Sequence, residues 1–177
     1  MSDREAILAR IGSAWPWQAA STEVVGRPVE RESWALFTER LHGLGGEVAG
    51  PEALTTLVER SVYSDEDAAA YLPEGVRCVD DPWQAEIGVT LVDWAVAETG
   101  SLLIATGSDR RRLASLCPPH HYALVPEGRL LATLEEALGH LTVRTTVLVT
   151  GPSRTADIEG VLIRGVHGPG SLTAVRL

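Results

Sequence analysis

Hydrophobic positions indicate that the first part of the chain is helical. Apolar residues follow a capping box at Ser2–Glu5, and a second helical stripe consists of Trp34, Phe37, Leu41 and Leu44. Gly45-Gly46 directly follows this stripe and ends the predicted helix. We therefore predict an N-terminal helical arm over residues 1–45. Its stripe is expected to pack on the core, and the alternative is that another chain docks on it.

From residue 46 onward, short apolar runs alternate with helical stripes. The predicted strands cover residues 47–49, 76–79, 87–91, 94–97, 102–105, 121–125, 145–150 and 172–177. The predicted helices begin near Pro51, Ser64, Arg110 and Thr133. This alternation is typical of an α/β fold with a largely parallel sheet flanked by helices, so residues 46–177 are predicted to form one domain. The run 145–150 is expected to be a buried strand.

The charge composition excludes several kinds of chemistry. The chain has 177 residues, a net charge of −9 and 15 basic residues, all of them arginine. Without lysine there is no Schiff-base lysine and no lysine of a phosphate-binding P-loop. An acidic chain is also a poor nucleic-acid binder, so we expect no nucleic-acid partner. The basic run Arg110–Arg112 is interpreted as a solvated helix face, with an anion clamp as the alternative.

The cysteines indicate that this chain binds no cofactor of its own. Cys78 and Cys117 fit no disulfide or zinc spacing, and an iron–sulfur cluster usually needs four thiolates. The sequence Cys117–His121 contains two consecutive histidines, but these point to opposite faces of a strand, so we expect no metal. A signal peptide and an apolar stretch of about 20 residues are both lacking, and we expect a cytoplasmic protein with no membrane span.

Gly151–Glu159 is the strongest local signal. A predicted strand runs into a Gly-Pro turn, followed by polar residues in a loop. Ligands of open α/β sheets bind outside the carboxyl ends of strands, and a helix beginning in this loop would favour an anion. The predicted ligand-binding residues are Gly151, Pro152, Ser153, Arg154, Thr155, Asp157 and Glu159. The alternative is that Ser153 or Thr155 caps a helix while Arg154 pairs with a neighbouring carboxylate.

Ala97–Ser101 places a carboxylate between two apolar runs. Burial of an unpaired glutamate is costly, so Glu98 faces solvent, pairs with an arginine or is kept for function. At the end of a strand it is a candidate catalytic nucleophile or general base. Thr99, Gly100 and Ser101 are candidate ligand-binding residues of the same turn. The alternative is a hairpin turn with an exposed glutamate.

Arg164–Gly170 forms a third candidate loop before the last predicted strand. Its three glycines and one proline force a sharp turn. His167 is a candidate to donate to an anion or to transfer a proton, and the alternative is a solvent-exposed turn histidine.

These loops carry a resemblance to a known family. The matching motifs are Gly88-Val89-Thr90, Ala97–Leu102, Leu116–Pro119 leading to His121 and Val125, Gly151–Glu159 and Arg164–Pro169. With them the sequence resembles the LUD-domain family of lactate-utilisation proteins from about Glu86 to the C-terminus. The resemblance implies an α/β fold similar to the NagB/RpiA/CoA-transferase group. It also implies two partner proteins, a cysteine-rich redox protein and an iron–sulfur protein, which together support oxidation of L-lactate to pyruvate.

Three functions follow from these observations. The first is an accessory subunit of an iron–sulfur lactate-oxidising system that binds a small carboxylate or phosphate or organises its partners. The second is a binding module that senses an anionic metabolite. The third is an enzyme of the CoA-transferase or sugar-phosphate isomerase kind that uses Glu98. Since two cysteines are too few for a cluster, electrons in the first case pass through clusters in the partner proteins.

Overall fold

Strands and helices alternate along the chain as the apolar pattern predicts. The computed structural model describes residues 33–140, 145–156 and 162–177. The strands are β1 (Glu47–Ala49), β2 (Ser61–Ser64), β3 (Arg77–Cys78), β4 (Ile87–Leu91), β5 (Trp94–Val96), β6 (Ser101–Ala105), β7 (His120–Val125), β8 (Leu130–Leu131), β9 (Thr146–Val149), β10 (Arg154–Ala156), β11 (Leu162–Arg164) and β12 (Ser171–Arg176). The α-helices are α1 (Trp34–Gly43), α2 (Asp109–Leu116) and α3 (Leu134–Gly139), and 3₁₀ turns cover Pro51–Glu59, Ala68–Tyr71 and Pro82–Gln84.

A six-stranded sheet in the order β1-β12-β7-β4-β2-β3 forms the centre of the domain, and all of its pairings are parallel. This confirms the predicted α/β fold with a parallel sheet flanked by helices. Three of the predicted strands instead join a second sheet of order β8-β5-β6-β9, in which β5–β6 and β6–β9 are antiparallel. Strands β10 and β11 form a separate antiparallel hairpin.

The core lies on both faces of the parallel sheet. Helix α1 covers one face together with the second sheet, and its Phe37 and Leu41 are fully buried beside Leu102. The predicted stripe of α1 therefore packs on the core, while residues 1–32 of the predicted arm lie outside the described residues. The other face is covered by the turn Pro51–Glu59, which packs Leu57 against the sheet. Within the described residues, no helix is both long and apolar enough to cross a bilayer.

Helix α1 ends where the sequence places its stop signal. The backbone N–H of Gly45 donates to the His42 carbonyl at 2.8 Å, and that of Gly46 donates to the Leu41 carbonyl at 3.0 Å. This pair of bonds is the Schellman arrangement, which needs a left-handed residue, and Gly45 has a φ of +84°. The turn carries the chain directly into β1 at the edge of the parallel sheet.

Two sequence-based predictions are wrong in detail. Strand β9 is not buried, since Leu148 is 48% exposed, because β9 lies at an edge of the second sheet and pairs only with β6. The helix predicted to begin at Ser64 is instead the end of β2, followed by the turn Ala68–Tyr71. Strand β2 is buried between β3 and β4, although it is polar at both ends. Neighbouring strands, rather than its own apolar pattern, place it in the sheet.

Arg111 occupies the carboxyl ends of β2 and β4. Its guanidinium lies 3.4 Å from the Asp65 carboxylate and 3.1 Å from the Asp93 carboxylate, and it also donates to the Leu91 carbonyl. Burial raises the pKa of Asp65, while backbone N–H donors and Arg111 oppose that shift. The predicted solvated face is therefore wrong for Arg111, which is 13% exposed in its side chain. Its contacts tie α2 to the sheet.

Candidate functional site

The candidate turn Ala97–Ser101 and the start of the candidate loop Gly151–Glu159 meet at one end of the second sheet. The Thr99 hydroxyl donates to the Ser101 hydroxyl at 2.8 Å, and the Ser101 hydroxyl lies 2.8 Å from that of Thr150. Ser101 begins β6 and Thr150 follows β9, so the antiparallel pairing of these strands brings the hydroxyls together. The meeting point therefore belongs to the antiparallel sheet rather than to the carboxyl ends of the parallel strands.

Both loops pack against the end of helix α1. A Cβ on Gly100, which has a φ of +66°, would lie 2.6 Å from the Leu41 backbone nitrogen. A Cβ on Gly151 would lie 3.1 Å from the Leu44 Cβ. The glycine at position 100 therefore permits both the turn and its close approach to the helix. Pro152 is buried beside this contact.

The Glu98 carboxylate contacts the start of helix α3. Its Oε2 accepts a hydrogen bond from the Leu134 backbone N–H at 3.2 Å, and the residue is half-buried. Leu134 is the first residue of α3, where backbone N–H groups have no partner within the helix. This contact serves to hold the turn onto α3. It does not place the carboxylate in either of the two cavities described below.

A hairpin, rather than a helix, follows the Gly151-Pro152 turn. The Ser153 backbone N–H donates to the Pro169 carbonyl at 2.8 Å, and the Gly165 N–H donates to the Ser153 carbonyl at 3.1 Å. These bonds join the start of the candidate loop Gly151–Glu159 to the third candidate loop, Arg164–Gly170. Since β10 begins at Arg154, the helix start that would favour an anion here is absent from this turn. Thr155 lies in β10, while Asp157 and Glu159 lie outside the described residues.

Arg154 and Arg164 face each other across the hairpin. They are direct partners in the register of β10 and β11. The Nη2 atoms of Arg154 and Arg164 lie 2.6 Å and 3.4 Å from the position that a Cβ on Gly45 would take. Two guanidinium groups from neighbouring strands therefore approach the same point beside the end of α1.

A cavity of about 490 Å³ opens next to this point, at the amino ends of the parallel strands. This amino-edge cavity is lined among others by Glu47, Arg60, His120, Tyr122, Arg164 and Ser171. His120 and Ser171 begin β7 and β12, and the His120 Nδ1 lies 2.5 Å from the Ser171 hydroxyl. The sequence predicted a ligand pocket at the carboxyl ends of strands, whereas this cavity lies at the amino edge of the parallel sheet and none of the predicted site residues lines it.

His167 belongs to the third loop but does not line the amino-edge cavity. It lines a second cavity of about 440 Å³ with Trp83, Leu116, Cys117, Pro119 and Val166. Trp83 is 77% exposed, and burial raises the pKa of the Cys117 thiol. The third loop therefore contributes to both cavities, since Arg164 lines one and His167 lines the other.

None of the residues that line the amino-edge cavity was predicted as a site residue from the sequence, and those with basic side chains are Arg60, His120 and Arg164. Arg164 opens a predicted motif, but only its pairing with Arg154 in the hairpin reveals its place. His120 follows from the rule that consecutive strand residues alternate, since His121 is 1% exposed and His120 is exposed. Arg60 offered no local signal. Among residues 33–140, 145–156 and 162–177, no group of three potential metal ligands comes together.

The chain is similar to a family of known proteins. Residues 80–175 match the family model described as LUD domain. Lactate utilization protein C of Halalkalibacterium halodurans is 33% identical over 105 residues, which are 54% of this chain and 46% of that protein. The Bacillus licheniformis protein of the same name is 36% identical over 112 residues, which are 58% and 45% of the two chains. The chain thus spans less than half the length of these curated relatives.

A solved structure shows the same fold. The crystal structure of a DUF162 family protein from Deinococcus radiodurans, at 1.70 Å resolution, superimposes with a TM-score of 0.63. The alignment covers 80% of this chain and 94% of that chain, with 21% sequence identity. The chain therefore shares the fold of that protein over most of its length.

Proposed function

Because the chain belongs to the LUD domain family, we propose that it is an accessory subunit of a system that oxidises L-lactate to pyruvate. The relatives that carry the name lactate utilization protein C support a role in lactate use. Oxidation of L-lactate releases two electrons and two protons. Since this chain has only two cysteines, we assign the electrons to iron–sulfur clusters of partner proteins.

The connection between the three candidate loops is the observation that carries this proposal. The bonds Ser101–Thr150 and Ser153–Pro169 join the loops into one surface against helix α1. The hydroxyls and the Glu98 carboxylate form hydrogen bonds within the protein. The Arg154 guanidinium, in contrast, lies beside Gly45, which lines the amino-edge cavity. This arrangement fits a subunit that binds and positions a small anion or a partner better than one that carries out the chemistry itself.

Deletion of the coding sequence in its own host tests the role in lactate oxidation. We expect loss of growth on L-lactate with unchanged growth on pyruvate, and recovery when the gene is restored. Extracts of the deletion strain should also lose L-lactate-dependent reduction of an electron acceptor. Full growth on L-lactate without this chain would contradict the proposal.

The partner assignment needs a separate measurement. A tagged chain purified from lactate-grown cells should carry proteins that contain iron and acid-labile sulfide, in a fixed ratio to the tagged chain. Complementation with Glu98→Gln distinguishes the accessory role from an enzyme that uses this carboxylate. An accessory subunit should support growth with this variant, whereas a general base should lose about 10²-fold or more in activity.

A further inference from the structure

The cross-strand pair Arg154–Arg164 is an unusual feature of the hairpin. Like charges directly opposite each other destabilise an antiparallel pair. Here both guanidinium groups also approach Gly45, at 2.6 Å and 3.4 Å from the position of an added Cβ. An anion held between them would offset their repulsion, since each guanidinium presents a planar fork of donors.

Arg154 and Arg164 are the main source of positive potential at the amino-edge cavity. The Arg60 guanidinium lies 2.8 Å from the Glu86 carboxylate, so its charge is largely balanced. Glu47 also lines the cavity and adds a negative charge. Arg164 lines the cavity, and Arg154 lies directly opposite it in the hairpin. An anionic group is therefore expected at this end rather than beside Glu47.

We propose that the amino-edge cavity binds a phosphate monoester of a small polyhydroxylated molecule, with Arg154 and Arg164 holding the phosphate. One guanidinium is enough for the two oxygens of a carboxylate. Two guanidiniums match the three terminal oxygens and the charge of about −1.5 to −2 of a phosphate group at pH 7. A phosphate ester therefore uses both arginines more fully than lactate or pyruvate does.

The remaining cavity wall matches the hydroxylated part of such a ligand. Its polar groups include the hydroxyls of Thr56 and Tyr122 and the pair formed by His120 and Ser171. The volume of about 490 Å³ lies within the range of roughly 300–1,000 Å³ that small-molecule sites occupy. A three-carbon acid would leave most of this space unfilled. The lining thus favours a ligand with several hydroxyl groups beyond its phosphate.

This inference rests on the part of the proposed function that assigns a small anion to the chain. It adds a regulatory input to the lactate role, because a phosphorylated metabolite is neither the substrate nor the product of lactate oxidation. Binding by the isolated chain and growth on lactate are separate measurements. Failure of one therefore leaves the other to be judged by its own result.

Isothermal titration of the full chain at low salt tests the site. The probes are ribose 5-phosphate, inorganic phosphate, succinate and L-lactate. We expect ribose 5-phosphate to bind at least tenfold more tightly than succinate or L-lactate. Arg154→Gln and Arg164→Gln should each weaken it about tenfold or more, since each removes a charge-assisted donor pair. Arg112→Gln removes another exposed arginine charge, on helix α2, and should leave binding within about twofold.

His120→Ala tests the hydroxylated part of the ligand. It should weaken ribose 5-phosphate several-fold while leaving inorganic phosphate unchanged. Because all the substituted side chains are exposed, thermal melts should confirm that each variant is folded. The proposal is overturned if the wild-type chain does not bind ribose 5-phosphate, if succinate or lactate binds equally well, or if the two arginine variants bind normally. Equal affinity for inorganic phosphate would overturn the assignment of an ester.

Discussion

The hydroxyl groups of Ser101 and Thr150 meet at 2.8 Å, although the two residues are 49 positions apart in the sequence. Thr99 extends this contact into a chain of three hydroxyls. Ser101 is 1% exposed, so its hydroxyl depends on these partners for its hydrogen bonds. The contact joins the turn after β5 to the segment after β9. Through this contact the two separate motifs form one surface.

A double-mutant cycle measures this contact. Ser101→Ala leaves the partners of a buried hydroxyl unsatisfied and should lower the free energy of unfolding by about 1–2 kcal/mol. Combined with Thr150→Val in urea denaturation, it should give a coupling of about 0.5–1 kcal/mol. The pair Ser101→Ala and Thr55→Val serves as the control, because Thr55 bonds within its own 3₁₀ turn and its effect should be additive. If the effects of Ser101→Ala and Thr150→Val on the free energy of unfolding are additive, the contact contributes nothing to stability.

Burial of His121 makes the stability of the protein depend on pH. Burial lowers the pKa of His121 to about 4, and its Nε2 lies 2.8 Å from the Thr90 hydroxyl. The unfolded chain binds a proton near pH 6.5, while the folded chain does not until about pH 4. The contribution of His121 is therefore complete above pH 6.5 and is lost as the pH falls toward 4.

Urea denaturation at pH 7 and pH 5 checks this dependence. His121 should account for about 2 kcal/mol of the loss between these values. His121→Gln should reduce the loss by that amount, whatever its own effect at pH 7. His42→Gln, which removes an exposed histidine, should leave the loss unchanged. An identical pH dependence in His121→Gln and the wild-type chain would refute the assignment.

Arg111 is expected to stabilise the fold far more than its neighbour Arg112. Arg111→Met leaves Asp65, whose side chain is 1% exposed, without its cationic partner. We expect the free energy of unfolding to fall by about 3 kcal/mol. Arg112→Met removes an exposed pair with Asp109 and should cost about 0.5 kcal/mol or less. Equal effects of the two substitutions in thermal melts would contradict the role of Arg111.

Gly88 allows helix α2 to lie directly on strand β4. A Cβ at this position would lie 1.9 Å from the Ala114 backbone oxygen. Gly88→Ala should therefore destabilise the protein by about 3 kcal/mol, because the helix must shift. Gly139→Ala meets no atom within 4 Å and should be neutral or stabilising by up to about 1 kcal/mol. Comparison of their denaturant midpoints checks this prediction, and a mild Gly88 variant would contradict it.

The contact of Glu98 with α3 predicts different effects for two substitutions. Glu98→Ala removes the acceptor of the Leu134 N–H and should cost about 1 kcal/mol, whereas Glu98→Gln keeps an acceptor oxygen and should cost less than about 0.5 kcal/mol. Glu127→Ala, in an exposed turn, serves as the control. Chemical denaturation measures all three. Equal losses for the alanine and glutamine variants would show that the carboxylate charge, rather than the hydrogen bond, stabilises the turn.

The sequence by itself determined the class of the fold and the identity of the candidate loops. Apolar runs such as Ile87–Leu91 and His121–Val125 specify strands because they are buried on both faces of the parallel sheet. The glycine pair after α1 fixes the end of that helix through local hydrogen bonds. Information of this kind lies within a few neighbouring residues and can be recovered without the rest of the chain.

Only the tertiary structure decided how strands are distributed between sheets and which side chains share a cavity. The apolar residues of β9 predict a buried strand, but β9 pairs only with β6, and Leu148 is therefore exposed. Arg60, which precedes β2, and Arg164, in the β10–β11 hairpin, line the same cavity although they are far apart in the sequence. Such contacts depend on pairing between distant segments, which no local pattern of residues encodes.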